Sequence, residues 1–257
     1  MNKFSKNLQS ISAWLLVTIA SFGFYSCNSN RPVENWIPLF NGQNLDGWDI
    51  KISEYELNHN FGNTFRVIDG ILKVGYDEYE DFGERFGHIF YSGQEFSHFK
   101  LRVEYRFVGD QIGGGPDWAF RNNGIMFHSQ SAASMELNQH FPISIEAQFL
   151  GGDGVNERPN GSVCTPGTTI EIGGVRIYDH CISSRSRTFQ GDEWVRFELV
   201  VFGDSIAHHI IEGDTVLTYK NFQLENSGLP LSKGFIALQS ESHPIEFRKI
   251  EILNLKP

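Results

Sequence analysis

Three segments place amide, carboxylate and imidazole groups on alternate positions of short apolar runs. In "PISIEAQFL", Glu146 and Gln148 alternate with Ile145, Ala147 and Phe149. In "GFIALQSESHPIEF", Gln239, Glu241 and His243 follow the same parity opposite Ile236 and Leu238, and in "GIMFHSQ", Met126, His128 and Gln130 oppose Ile125 and Phe127. Side chains of an extended chain alternate between two faces, so each row projects from one side of a strand. A carboxylate and an imidazole with neighbouring amides can move a proton and bind hydroxyl groups. The expectation is a concave polar sheet that binds a polyhydroxylated ligand, provided the three strands are neighbours. Glu146 is the leading base, with His243 and His128 as proton donors and Glu241 as a second acid/base or a partner of His243. Gln148, Gln239 and Gln130 position the ligand.

The elements that must carry these rows are strands. Asp69-Gly70 lies between "FRVI" and "ILKV", Gly203-Asp204 follows "FELVVF", and Gly213-Asp214 precedes "TVLTY". Such dipeptides between β-rich runs mark hairpins. "FKLRVEYRF" alternates Phe99, Leu101, Val103, Tyr105 and Phe107 with Lys100, Arg102, Glu104 and Arg106, which predicts one core face and one solvated face of mixed charge. The shift in parity between Phe247 and Ile250 predicts a bulge near Arg248-Lys249. Many short strands with glycine-rich turns, and no persuasive helical period after the N-terminal segment, give an all-β class: a jelly-roll β-sandwich of two antiparallel sheets.

The 257 residues divide into three parts. Residues 1–26 read as a signal peptide: Lys3 and Lys6 precede an apolar run, Ile11 to Tyr25, that ends at Ser26-Cys27. That run of about 15 residues is short for a membrane span, which needs roughly 20. Cys27 would be the acylated N-terminus of a bacterial lipoprotein, with plain secretion as the alternative. Residues 27–35 form a polar tether and 36–257 a single domain. The expected location is therefore the cell envelope, periplasmic or at the outer membrane.

Two further cysteines, Cys164 and Cys181, bracket "CTPGTTIEIGGVRIYDHC". In an oxidising compartment one disulfide is the simplest use of them; a pair of buried thiols is the alternative. A zinc site with His180 is a weaker reading, since adjacent His-Cys suits tetrahedral geometry poorly. Removing Lys3 and Lys6 leaves 19 basic against 31 acidic residues. With no basic cluster to follow a phosphate backbone, nucleic acid is not an expected partner. Trp118 and Phe120, in "GGGPDWAFRNNG", offer rings on which a sugar can stack, and Arg121 and Asn123 lead from that loop toward the ligand. "GGGP" lacks the lysine and helix of a phosphate loop. Asp153 in "GGDG" is a candidate calcium ligand or a plain turn; no cofactor is required.

The ordered set "WIPLFNGQNLDGW", "FRVIDGILKV", "NNGIMFHSQ", "ISIEAQFLGGDG", "GDEWVRFELVVFGDSIAHHIIEGDTV" and "GFIALQSESHPIEFRKIEIL" resembles the 3-keto-disaccharide hydrolase family over nearly all of residues 35 to 255. The resemblance implies a concanavalin-like jelly roll. It also implies cleavage of glycosides whose sugar carries a ketone at C3, by elimination and hydration that amount to hydrolysis. A direct glycoside hydrolase of similar fold would carry a strand-borne Glu-x-Asp-x-x-Glu; from Glu146 that spacing gives Gln148 and Gly151, so the paired carboxylates are missing. A carbohydrate-binding lipoprotein without catalysis remains the alternative outside the enzymes.

Overall fold

The computed structural model describes Met1 and residues 34–256. The expected signal peptide, the acylated Cys27 and most of the tether lie outside the described residues. Glu34 onward forms one compact unit. Among the described residues there is no α-helix, only three short 3-10 turns, and seventeen strands form two antiparallel sheets. Core side chains fill the space between the sheets, as expected for a sandwich. Phe99, Leu101, Val103, Tyr105 and Phe107 all point into it, and the alternate residues of that strand point outward.

The sheet that matters for function has seven strands. Its order runs Cys181–Ile182, Ser162–Cys164, Ile145–Leu150, Asn122–Ser129, Gly234–Ser240, Gly87–Phe96 and Trp48–Ile52. The three strands singled out by sequence are therefore adjacent, with Gly234–Ser240 and Ile145–Leu150 flanking Asn122–Ser129. Ile125 pairs with both Ala147 and Leu238, and all three face the core. One residue along each strand, the opposite face carries Glu146, Gln148, Gln239 and Met126.

Hairpins sit where the dipeptides predict them. Asp69 and Gly70 both take positive φ, 52° and 78°, in the two-residue turn between Ile68 and Ile71. The later hairpin turns one residue earlier than expected, on Glu212 and Gly213. The bulge near Arg248-Lys249 is present as a register shift between Phe247 and Ile250. Ile143 does not join the core: the strand begins at Ile145, and Ile143 is exposed.

A second bulge, not foreseen, changes the site. Phe235 pairs with Ser129 but Ala237 pairs with Met126, so the Asn122–Ser129 strand holds one extra residue opposite Ile236. His128 takes φ 46° there. Gly234 backs the bulge: a β-carbon on it would stand 2.4 Å from the His128 carbonyl carbon, so a larger residue would collide with backbone.

Candidate active site

The inner wall of the site is a row of residues in cross-strand register. Glu146 faces Met126 and Cys164 across its two neighbouring strands, while Gln148 faces Gly124 and Ser162. His88 faces Gln239 and Lys51. Of this row Glu146, Gln148 and Cys164 reach a cavity of about 520 Å³, lined also by Glu241, Asn122, Arg158, Trp118, His180 and Cys181; Gln239, expected to position the ligand, is fully buried and lies outside that lining.

Glu146 and Glu241 are both almost fully buried, and neither forms an ion pair among the described residues. Burial, and then the charge of Glu241, raises the Glu146 carboxyl well above the ordinary carboxylate range. Burial pushes Glu241 up to about 8. Two adjoining buried carboxyls cannot both ionise cheaply, so at least one holds a proton at neutral pH. Gln239 donates from Nε2 to Glu241 Oε1 over 3.3 Å. Gly124 makes the arrangement possible. A β-carbon there would lie 2.6 Å from Glu146 Oε1 and 3.0 Å from Gln239 Oε1, so both oxygens occupy the space a side chain would take.

The strand that carries Glu241 is bent to present it. The Tyr76 hydroxyl pairs with Ser240 Oγ at 3.0 Å and accepts the Ser242 N–H at 2.9 Å, gripping the residues on either side. Ser242 adopts φ 81°. The bend breaks the alternation on which His243 depended. His243 is turned between the rings of Phe107 and Phe120, with centroids at 5.6 and 5.0 Å, and does not line the cavity. Burial, then the nearby Arg121 and Arg158, lowers it to about 4. The sequence expectation of His243 as a donor in this cavity is corrected.

His128 is corrected for a related reason. The bulge rotates it to the core side, where its ring packs against Phe99, Phe127 and Phe222 and its Nδ1 meets the Leu231 carbonyl at 3.0 Å. Gln130, beyond the bulge, bonds with Gln139 and the Ile143 N–H, away from the cavity. Asn123 shares the core parity of Ile125; its Nδ2 donates to the Gln239 carbonyl at 2.8 Å. Arg121 donates to the Gly191 carbonyl at 2.8 Å and lies outside the cavity lining.

Residues that sequence reading missed take their places. Asn122 has the parity of Gly124 and Met126, which was a usable signal. Its Oδ1 accepts from Gln148 Nε2 at 3.1 Å, and its Nδ2 donates to the Trp118 carbonyl at 3.3 Å. His88 alternates with Ile89 in "FGHIFY", a weaker signal of the same kind. It is fully buried beside Phe90 and Phe141, with no partner on either nitrogen among the described residues, and burial lowers it to about 3. Arg158 and His180 come from loops, where no periodicity announces them. Arg158 is held by Nη1 on the Gly151 carbonyl at 2.6 Å, and the cavity receives its half-buried cation.

Trp118, half exposed, stacks on Phe86 at 5.7 Å with planes 8° apart and presents its other face outward. Cys164 and Cys181 are joined in a disulfide, directly opposite each other on adjacent strands. Asp153 spends both carboxylate oxygens locally, on the N–H groups of Val155 and Asn156 and on Asn156 Nδ2. Among the described residues, no group of three or more acidic, histidine or cysteine side chains is placed to hold a metal ion.

The structure is a two-sheet antiparallel β-sandwich with a carboxyl-bearing, amide-lined cavity. Residues 35–253 match the model of the 3-keto-α-glucoside-1,2-lyase-like domain, and the chain belongs to that family. No curated protein matches the chain significantly. A protein from Parabacteroides distasonis, provisionally described as a glycosyl hydrolase, superposes with a TM-score of 0.53 at 15% identity, over 86% of this chain and 94% of its own. The exoplasmic domain of VIP36, bound to calcium and Man3GlcNAc, superposes with a TM-score of 0.50 at 11% identity, over 87% and 92%. At these identities the likeness is one of fold.

Proposed function

We propose that this protein cleaves 3-keto-glycosides by elimination followed by hydration, with Glu146 and Glu241 as its acid and base. The observation that carries the reading is a pair of buried carboxyls sharing one cavity without a cation bonded to either, in a chain of this family. Once one proton has left, such a pair holds one protonated and one ionised group, as acid–base chemistry needs. The C3 ketone acidifies the C2 proton. One carboxylate takes it, the C1–O bond breaks, and the departing oxygen receives a proton from the other carboxyl. Water then adds its hydroxyl to C1 and a proton to C2, so the sum is hydrolysis.

Arg158 is the cation available to the enolate oxygen as charge develops there. Gln148 and Asn122 hold hydroxyl groups, and the outer face of Trp118 stacks a ring. The same reading keeps Cys27 as an acylated N-terminus in the cell envelope, which the intact mass of the mature protein tests.

The decisive experiment incubates the protein with matched glycosides and 3-keto-glycosides and follows products by mass spectrometry. Turnover confined to the oxidised sugars, with solvent deuterium appearing at C2, is the expected result. Cleavage of unmodified glycosides would sink it. Binding of glycans with no turnover of either set would instead establish a carbohydrate-binding protein.

A further inference from the structure

We infer that Gln239 is the positioning residue that divides the labour of the two carboxyls, its amide oxygen taking the proton of Glu146 and its amide nitrogen supporting the charge of Glu241. The inference rests on the acid–base reading of this cavity. It reverses the expectation from sequence, in which Glu146 is the base.

A side-chain amide is polar in a fixed sense. Its oxygen only accepts and its nitrogen only donates, and it does not titrate. Placed between two carboxyls, it therefore favours one distribution of the single proton over the other. Gln239 is completely buried on Gly234–Ser240, the strand beside the middle one of the concave sheet. Its Nε2 turns along its own strand to Glu241 Oε1 at 3.3 Å. Its Oε1 turns across the sheet to the space above Gly124, where Glu146 Oε1 also lies, and it has no hydrogen-bond partner among the described residues. An oxygen facing an ionised Glu146 would be repelled; facing a protonated one, it accepts a hydrogen bond. The backbone is held too, since Asn123 Nδ2 donates to the Gln239 carbonyl at 2.8 Å.

The surrounding groups leave the amide this role. On the Gly87–Phe96 side, His88 stands opposite Gln239, buried and neutral. Beyond it, Lys51 commits its ammonium to the carbonyls of Ile52, Tyr55 and Leu137. On the Asn122–Ser129 side, Gly124 presents no side chain, and Asn122 is engaged with Gln148. Arg158 and His180 complete the charged or titratable lining of the cavity.

With the proton so placed, Glu241 removes the C2 proton and Glu146 protonates the leaving oxygen. Elimination leaves Glu241 protonated and Glu146 ionised. In hydration Glu146 takes a proton from water as the hydroxyl joins C1, and Glu241 returns its proton to C2. Both groups end as they began.

The test is a carboxyl titration by carbon-13 NMR of the full-length protein in detergent, with Glu146→Gln and Glu241→Gln assigning the two resonances. The expected result is that Glu241 ionises at lower pH than Glu146. In Gln239→Met the Glu241 midpoint rises by roughly half a pH unit to one, the worth of a single buried hydrogen bond, and that of Glu146 falls. The reverse order in the wild type overturns the inference, as does an unchanged separation in a folded Gln239→Met. If Gln239→Met does not fold, the wild-type order still decides. No substrate enters this measurement. Its result stands even if the 3-keto sugars are not turned over, and failed turnover with the expected order removes only the proposed reaction.

Discussion

Buried glutamates occur on two faces of this molecule, and their surroundings give them opposite characters. On the outer face of the ten-stranded sheet, Glu246 receives Lys73 at 2.8 Å and Arg106 at 2.7 Å. Around it Arg102 pairs with Glu251, and Glu104 with Arg248. Burial pushes Glu246 up, but the two cations outweigh it and its carboxyl is held below the ordinary range. On the concave face Glu146 and Glu241 are as little exposed but lie deeper, have no such cation among the described residues, and are raised. Both faces alternate apolar and polar residues along their strands. What separates a solvated ladder from a reactive cavity is whether each charge meets its opposite across the strands.

The comparison breaks first at the chemistry. Glu146→Gln and Glu241→Gln should each lower the turnover of a 3-keto-glycoside by roughly 10²- to 10⁴-fold, the usual reach of general acid–base catalysis, with binding retained. Glu246→Gln should leave turnover unchanged. Steady-state kinetics beside calorimetric binding checks all three.

The next effect is on stability. Reducing the Cys164–Cys181 link, or replacing both with serine, should cost about 3 kcal/mol for a loop of 17 residues. Urea melts read this directly. The loss should come with weaker sugar binding, because the same disulfide walls the cavity.

Changing pH acts on the two faces with opposite sign. Unfolded, Glu146 and Glu241 release their protons near pH 4.5; folded, they hold them higher, Glu241 to about 8. The folded state thus carries more protons between these values, and its stability falls as pH rises from about 4.5 through 8. Glu246 works the other way, stabilising above its unfolded value and losing that contribution on acidification. Thermal melts should show Glu241→Gln flattening the loss at the alkaline end and Glu246→Gln flattening the one at the acid end.

The smallest effect is expected on the outer ladder alone. Arg102→Ala removes a partly exposed pair with Glu251 and should cost under about 1 kcal/mol, less at high salt. A larger, salt-insensitive loss would mean that the outer face is more than a solvated surface.

Local pattern made much of this visible in advance. Phe99 to Phe107 and Ile145 to Gln148 follow strict alternation, so their faces could be read one residue at a time. Asp69-Gly70 announced its turn because two successive positive φ angles need such residues. The errors gather where alternation is interrupted. One extra residue at His128 carried a candidate acid into the core, and the left-handed Ser242 did the same for His243. The cause of the first interruption lies at Gly234, far along the chain, and of the second at Tyr76. Arg158 and His180 arrive on irregular loops, which have no period to read. Glu146 and Gln239 meet above Gly124, whose contribution is the room left by an absent side chain.

The Gly234–Ser240 strand lies between two strands made over a hundred residues before it. Until it pairs, Gly87–Phe96 and Asn122–Ser129 each present an open edge, and closing the gap between them demands a long-range pairing. The same late strand brings Gln239 and Glu241. The step that ends this period of vulnerability to aggregation is thus the one that completes the candidate site. A chain stopped before Gly234 would be both inert and adhesive, a good reason for the cell to treat it as waste.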